Sequence, residues 1–433
     1  MNIIIAGAGH GGLVAGAKLA KNGHHVSVYE KSSRDRLGHD WEDRFTFELL
    51  QKEAIVEKLP DDIWRYRGDC AFVSPNYKTK IVINYTDENR QKIMWRKPLI
   101  NILVSHAEEC GAELHFDDEI FSPIVSNEKV SGIKTSSGEH CADLIIDAAG
   151  VFSPVRKNLP KSFGIESMPK RGDVFYAYRA YFDKKDKSEM PQTPFEVYLC
   201  HAGEQGLSWC CTNDDSVDIL IGRIDPLKEN ELKKHIDNFK KARPWTGEKI
   251  IHGGNYGINP VRRPLALMVA DGYAAVGDSA FMTTPMNGMG IDLSILAGSL
   301  LADTVLKSNS ASAESLWEYN RNYHILYGRD TAKNESLKNS LLNLPNGGVD
   351  FLFENAVIQA SDLSGAGKNT DIPSLLGKFI RGMKRPSYFF GIIGGIMNGA
   401  KLAKRLKSAP KNYDKAAVAR WQESVQSSVL SVK

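Results

Sequence analysis

The sequence predicts an α/β protein with an inserted antiparallel sheet and a helical C-terminal region. Three observations carry this. An apolar strand runs straight into a glycine-rich turn and a helical pattern at the first residues. Residues 174–224 alternate short β-prone runs with turn residues. Beyond Val305 helical patterns dominate, broken at Pro345-Asn346-Gly347-Gly348.

At 433 residues and 42% hydrophobic, the chain can bury a large core, in two or three domains or in one domain with an insertion. Its 55 bases and 52 acids leave a net charge of +3, which gives no electrostatic reason to expect nucleic acid as a partner. The six cysteines are scattered, with no CxxC pair and no Cys/His ligand spacing. This argues against structural zinc and a disulfide scaffold, so no metal is expected and a reducing compartment fits best. The apolar strand starts at Ile3 with no basic region before it, which predicts a cytoplasmic protein without a signal peptide. No run of about 18 apolar residues predicts a spanning helix.

Residues 2–6 read as a buried strand and 13–21 as a helix, joined by Gly7-Ala8-Gly9-His10-Gly11-Gly12. The order strand, glycine turn, helix is that of a dinucleotide site. Gly7 permits the tight turn, Gly9 lets backbone approach a pyrophosphate, and Gly12 lets helix and strand pack closely. The helix N-terminus offers free N–H groups and a positive dipole end to phosphates, and His10 and Gly11 of the turn are candidate cofactor contacts beside it. A second strand, 25–29, ends on Glu30, 18 residues after Gly12, where a carboxylate accepts hydrogen bonds from a ribose and disfavours a 2′-phosphate. Lys31 and Arg36 follow it, and Arg36 and Arg44 are each within reach of a pyrophosphate or equally well surface charge. At this point NAD and FAD both remain open.

Two distant segments bear on that choice. Residues 142–150 form an apolar strand ending in the small residues Ala148-Ala149-Gly150, which let backbone pass close to a ligand. Residues 273–280 form another, containing Gly277-Asp278; Pro285-Met286-Asn287-Gly288-Met289-Gly290 then leads into a helix from Ile291 to Val305. These segments resemble the second and third FAD motifs of the flavoprotein superfamily that includes p-hydroxybenzoate hydroxylase and the geranylgeranyl reductases. The resemblance covers about residues 1–330. It implies FAD as cofactor and a Rossmann-like FAD-binding domain of the p-hydroxybenzoate hydroxylase type. It also implies that Asp278 bonds the ribityl or pyrophosphate region, that the Gly288–Gly290 backbone faces the isoalloxazine, and that Arg96, before a helix at 100–110, contacts the cofactor. A helix N-terminus beside a reduced flavin would stabilise its negative charge.

The strands at 174–182, 195–200, 207–212 and 217–224 look like the family's substrate sheet, which covers the flavin face. Gly206-Leu207-Ser208-Trp209 resembles the Gly-Tyr-x-Trp stretch of geranylgeranyl reductases. Those reductases often carry Arg-Cys-Gly beside the flavin, where this chain reads Arg36-Leu37-Gly38-His39-Asp40-Trp41. His39 in that loop and Tyr198 in the sheet are the candidate proton donors; packing without chemistry is the competing reading for both. Adjacent Cys210 and Cys211 on a strand point to opposite faces and are expected to be inert.

The expected organisation is an FAD-binding domain from 1–160 and 260–345, an inserted substrate domain at 161–259 and a helical region at 346–433. Candidate C-terminal helices lie at 316–327 and 329–342. No second glycine fingerprint follows a strand, so electrons are expected from a transient NAD(P)H or a reduced carrier protein. The leading reaction is reduction of a carbon–carbon double bond in a hydrophobic or aromatic small molecule. A monooxygenase using NAD(P)H and oxygen, which would usually carry Asp-Gly where this chain has Ala149-Gly150, and an electron-transfer partner are the alternatives. The apolar stretch 387–397 followed by Lys401, Lys404, Arg405 and Lys407 reads either as a buried helix or as a peripheral membrane contact over 387–407.

Overall fold

The computed structural model describes residues 1–53, 59–86, 90–363, 372–429, 431 and 432, with the side chains of 372–376 not described. Its centre is Asn2–Ala6 (β1), whose Ile3, Ile4 and Ile5 are buried on both faces of a parallel sheet. On one side β1 pairs with His25–Tyr29 (β2), in register Ala6 to Tyr29, and on the other with Leu144–Asp147 (β3), in register Ala6 to Asp147. Glu113–His115 extends the sheet beyond β2; Tyr273–Ala275 extends it beyond β3, in parallel with Ile145–Asp147.

The helix after β1, His10–Lys21 (α1), starts three residues before the sequence pattern suggested, with Gly9 as its N-cap. Periodicity missed these residues because two are glycines, weak helix formers placed there for contact. A second helix, Ile291–Ser308 (α2), crosses α1 at backbone distance. A Cβ on Gly298 would collide with the carbonyl oxygen of Gly11, and one on Gly11 would come 2.5 Å from that of Ser294.

The other large sheet is built from Val174–Lys184 (β4), Phe195–Leu199 (β5), Gly206–Thr212 (β6), Ser216–Arg223 (β7) and Thr246–Pro260 (β8), in the order β8-β4-β7-β6-β5. Two further strands complete it: Cys70–Val73, parallel to β5, and Lys80–Ile83 beyond it. They come from the segment that the sequence reading gave wholly to the nucleotide domain. Four-residue strands whose partners lie far along the chain leave no local signal. The helix Glu229–Ala242 between β7 and β8 was also not expected, although it buries Leu232, His235 and Phe239 at helical spacing.

Toward the C-terminus, Ala313–Tyr323 passes through a π-helical turn, His324–Gly328, into Arg329–Leu342 (α3), so the two expected helices form one interrupted rod. Ile372–Gly382 (α4) and Pro386–Lys407 (α5) follow, and α5 lies along α3. The glycine-rich stretch of α5 has a packing reason: Cβ atoms on Gly395 and Gly399 would collide with Ser340 and crowd the Lys333 backbone.

Replacing Gly298 with alanine is expected to lower unfolding stability by about 1–3 kcal/mol through overpacking. Gly394, with open space around its Cβ direction, is expected to gain up to about 1 kcal/mol as alanine. Urea unfolding of both variants checks the pair; equal effects would contradict the close crossing of α1 and α2.

Candidate functional site

The site begins where β1, β3 and α1 meet without side chains between them. Gly7 has φ +90°, and a Cβ there would come 2.8 Å from Ala148 O and from Ala149 Cα; one on Gly9 would come 2.9 Å from Ala148 O. Gly12 packs in the same way on Ile5 and the Ala148 methyl. Glu30 fixes the turn from the side, since its two carboxylate oxygens accept hydrogen bonds from Ala8 N at 3.0 Å and Ser32 N at 2.9 Å. The backbone N–H groups at the start of α1 therefore stay unobstructed and open onto a cavity of about 1190 Å³.

Gly9, His10 and Gly11 form one margin of that cavity, Ala148 and Gly150 the next, and Gly277, Asp278 and the stretch from Pro285 through Gly288, Met289 and Gly290 to Ile291 a third. Gly290 caps α2, and a Cβ on it would meet the Thr283 hydroxyl at 2.5 Å. Asp278 is half-buried and accepts a hydrogen bond from Thr283 Oγ1 at 3.0 Å; desolvation pushes its carboxyl above the usual range despite Thr283 and the nearby Arg96. Arg96 heads the helix Arg96–Glu109 and donates from Nε to Asp43 Oδ2 at 2.6 Å. Burial works against the charge on Asp43, yet Arg96 holds that carboxyl below its usual range. Arg44 Nη1 lies 2.7 Å from Met289 Sδ on the cavity wall.

His10 stands out. Its Nε2 is buried with no partner among the described residues, and burial, reinforced by Arg96, lowers its pKa to about 4. The ring is neutral at physiological pH, and it keeps a buried polar atom unsatisfied beside the cavity.

Not every expected residue reaches the cavity. Gly7 and Gly12 stand behind its wall, Ala149 donates from N to Asp147, and Glu30 acts from the flank. Lys31 is exposed, and the guanidinium of Arg36 turns outward to Ser33 and Asp117. The two expected proton donors are displaced as well. Tyr198 lies on the face of β5 opposite Val197 and Leu199, which line the cavity, and its hydroxyl donates to Glu196 Oε2 at 2.7 Å. His39 stacks on Trp41 at 4.2 Å, and burial lowers its pKa to about 4, so at neutral pH it has no acidic proton to give. Its neighbour Asp40 pairs with His252 Nδ1 at 3.0 Å. Cys211 borders the cavity and Cys210 is buried, and burial pushes both thiols up to about 12.

Three residues escaped the sequence reading. Asp147, at the end of β3, accepts hydrogen bonds from Ser153 Oγ, Tyr273 Oη and Ser279 Oγ at 2.6–2.9 Å, and so ties β3 to the Tyr273 strand and the Gly277 turn. Arg156 is buried, donates to the carbonyls of Ser279 and Val151, and lies 4.6 Å over the Phe281 ring. Lys338 of α3 lines the cavity and donates to Gly172 O and Val261 O, both at 2.6 Å. An acid ending an apolar strand signalled the first; nothing local signalled the other two.

The opposite wall is the large sheet. Phe72, Val197, Leu199, Leu207, Trp209 and Leu220 give it an apolar surface. Within that surface the buried pair Arg179–Asp218 closes at 2.7 Å, and Asp218 also accepts from Trp209 Nε1 at 3.1 Å, which fixes the indole.

Residues 1–325 match the family described as FAD binding domain. The chain belongs to that family. This flavoprotein is 23% identical to digeranylgeranylglycerophospholipid reductase of Sulfolobus acidocaldarius over 98% of its own length and 96% of that relative. It is 26% identical to the Haloferax volcanii enzyme of the same name, covering 75% and 81% of the two chains. Its fold is similar to that of a geranylgeranyl bacteriochlorophyll reductase-like protein from Thermoplasma acidophilum, with a TM-score of 0.72, 19% identity and coverage of 91% and 99%. A probable FAD-dependent monooxygenase from Pseudomonas aeruginosa has the same fold at a TM-score of 0.58 and 16% identity, with coverage of 79% and 96%.

The protein is thus an FAD-dependent oxidoreductase with a Rossmann-like FAD-binding fold, and its residues fit the cofactor. The glycine cradle leaves room for a pyrophosphate, His10 Nε2 lacks a partner among the described residues, and Glu30 after β2 fixes the turn by accepting from Ala8 N and Ser32 N.

Gly9→Val is expected to give a folded protein whose flavin absorbance per chain falls at least about tenfold, because the side chain fills the cradle; retained flavin would show that the pyrophosphate lies elsewhere. A second expectation concerns pH. For His10, His39 and His324, burial lowers the pKa from 6.5 to about 4. The unfolded chain binds more protons between those values, so stability is lost as pH falls from about 6.5 toward 4. Calorimetric melting over that range checks this, and His324→Gln should flatten the slope.

Proposed function

We propose that the protein saturates a carbon–carbon double bond in a long hydrophobic substrate. The observation that carries this reading is the cavity lining, which runs from the FAD cradle across the apolar sheet to Leu337, Leu341, Val349, Ile358 and Leu363 of the C-terminal helices and the turn between them. A lining of that extent suits a chain-like molecule better than a single ring. The curated relatives named as digeranylgeranylglycerophospholipid reductases support the same reaction class.

Bound, reduced FAD supplies a hydride. The residues of this chain then have three tasks: to hold an alkene against the Gly288–Gly290 side of the cavity, to exclude water, and to deliver a proton to the second carbon. Val197, Leu199, Leu207, Trp209 and Leu220 perform the first two. For the third, Lys338 suits better than either donor suggested by the sequence. Its side chain lines the cavity with the amine held by the Gly172 and Val261 carbonyls, and burial lowers its pKa to about 8, with Glu335 and Asp173 limiting the fall. Val261, whose carbonyl it holds, lies two residues past Asn259, which approaches Gly288. Electrons come from a transient NAD(P)H or a reduced carrier protein, since the described residues form one dinucleotide cradle.

Anaerobically reduced protein is expected to be reoxidised quickly by a polyprenyl alkene and slowly by air. Oxygen consumption matched by a hydroxylated product would assign the monooxygenase reaction instead; oxidation only by a carrier protein, with no small-molecule turnover, would assign electron transfer. Because Lys338 must be protonated to act, turnover should fall as pH rises through about 8. Lys338→Met should lower it by about 10²–10⁴ with flavin content unchanged.

A further inference from the structure

The helices α4 and α5 leave a row of large apolar side chains in water. Phe379, Ile380 and Met383 stand out from α4 and the residue after it, and Phe390, Ile396 and Met397 from α5; Ile380 is 63% and Met397 68% exposed. On α5 the positions 390, 394, 397, 401 and 404 follow one another at helical spacing, so the apolar row of Phe390 and Met397 continues into Lys401 and Lys404 on the same face. The buried side of α5, with Phe389, Gly395, Gly399 and Leu402, is already occupied by α3 and neighbouring side chains.

Charge singles out this region. Residues 372–413 contain nine lysines and arginines and no aspartate or glutamate, in a chain whose 55 bases and 52 acids are otherwise nearly balanced. Arg385, Lys401, Lys404 and Lys407 have no ion pair with a carboxylate among the described residues, and all four are exposed. No helix among the described residues is long and apolar enough to cross a membrane. An apolar row bordered by cations, too short to span, has the composition of a surface that lies in the plane of a bilayer. One bond links α4 to the cavity wall: Lys378 of α4 bonds Asp362 Oδ1 at 2.5 Å, and Asp362 and Leu363 line the cavity, with Leu363 packed on its Cys70 and Phe195 end.

We infer that the exposed face of α4 and α5 docks on an anionic lipid bilayer and sets that end of the cavity against it. Phe390, Ile396, Met397, Phe379 and Ile380 enter the boundary between headgroups and acyl chains, while Lys401, Lys404, Lys407 and Arg385 meet the lipid phosphates. Docking does not depend on the reaction proposed above; only the statement that the cavity receives a bilayer lipid rests on that reading.

The test uses the full-length, flavin-loaded protein and sedimentation with two kinds of vesicle, phosphatidylcholine alone and an equal mixture with phosphatidylglycerol. The protein should sediment with the mixed vesicles, should stay in solution with phosphatidylcholine alone, and should be released by salt. Lys401→Glu with Lys404→Glu should weaken binding at least about tenfold, and Phe390→Ser with Met397→Ser should weaken it too, both with unchanged flavin content. No sedimentation with mixed vesicles, or full binding by both double variants, would overturn the inference. So would a light-scattering mass of a dimer that reverts to a monomer in the Phe390/Met397 variant, since a second copy would then cover the face. Because no turnover is measured, failure here leaves the reductase reading standing.

Discussion

The structure depends on a backbone approach that admits no side chain. Gly7, Gly9 and Gly12 meet Ala148 and Ala149 so closely that a Cβ at any of them would collide with or crowd β1, β3 or their following turns. The same condition recurs where Gly11 of α1 meets Gly298 of α2. These contacts set the distance between the parallel sheet and its two glycine-bearing helices, and so place the ends of α1 and α2 on one cavity. Once the helix ends converge there, their free N–H groups and dipoles face the cavity. The buried carboxylate of Asp147 then holds the strand ends together by accepting four hydrogen bonds, from Ser153, Tyr273, Ser279 and the backbone of Ala149.

The second wall obeys a different rule. The large sheet presents apolar side chains to the cavity, and the charges it sets among them, Arg179 and Asp218, are paired and hydrogen-bonded. Arg179 and Asp218 are both nearly fully buried, and their value lies less in net stability than in orientation: a buried pair of this kind costs desolvation, yet it fixes Trp209 and reaches the backbone of Glu42 across the domain boundary. Fold is shared by the family while the chemistry of individual sites varies.

What was legible in the sequence followed from local rules. The glycine turn, Glu30, the Gly277-Asp278 turn and the Gly288–Gly290 loop were readable because strand, turn and helix lie next to one another in the chain; the cavity gathers Gly9, His10 and Gly11 of the first with the last two, while Gly7, Gly12 and Glu30 brace it from outside. Strand phase was less tractable. Tyr198 and Trp209 are both aromatic residues on neighbouring strands, yet one faces away from the cavity and the other into it, and only the register Val197 to Trp209 separates them. His39 looked like an acid because loop histidines titrate near neutrality; stacking on Trp41 and burial remove that property. The strands at 70–73 and 80–83, and Lys338 on α3, join the site only through contacts distant in the chain, which periodicity does not record.

The central claim is that FAD lies with its pyrophosphate at the start of α1 and its ring between the Gly288–Gly290 loop and the Trp209 face of the sheet. A crystal structure of the protein grown with FAD tests it most directly. A phosphate oxygen is expected within hydrogen-bond distance of the α1 N–H groups, with the ring facing Trp209 and Leu220. A flavin bound with its pyrophosphate away from Gly9 and His10, or with its ring outside this cavity, would contradict it.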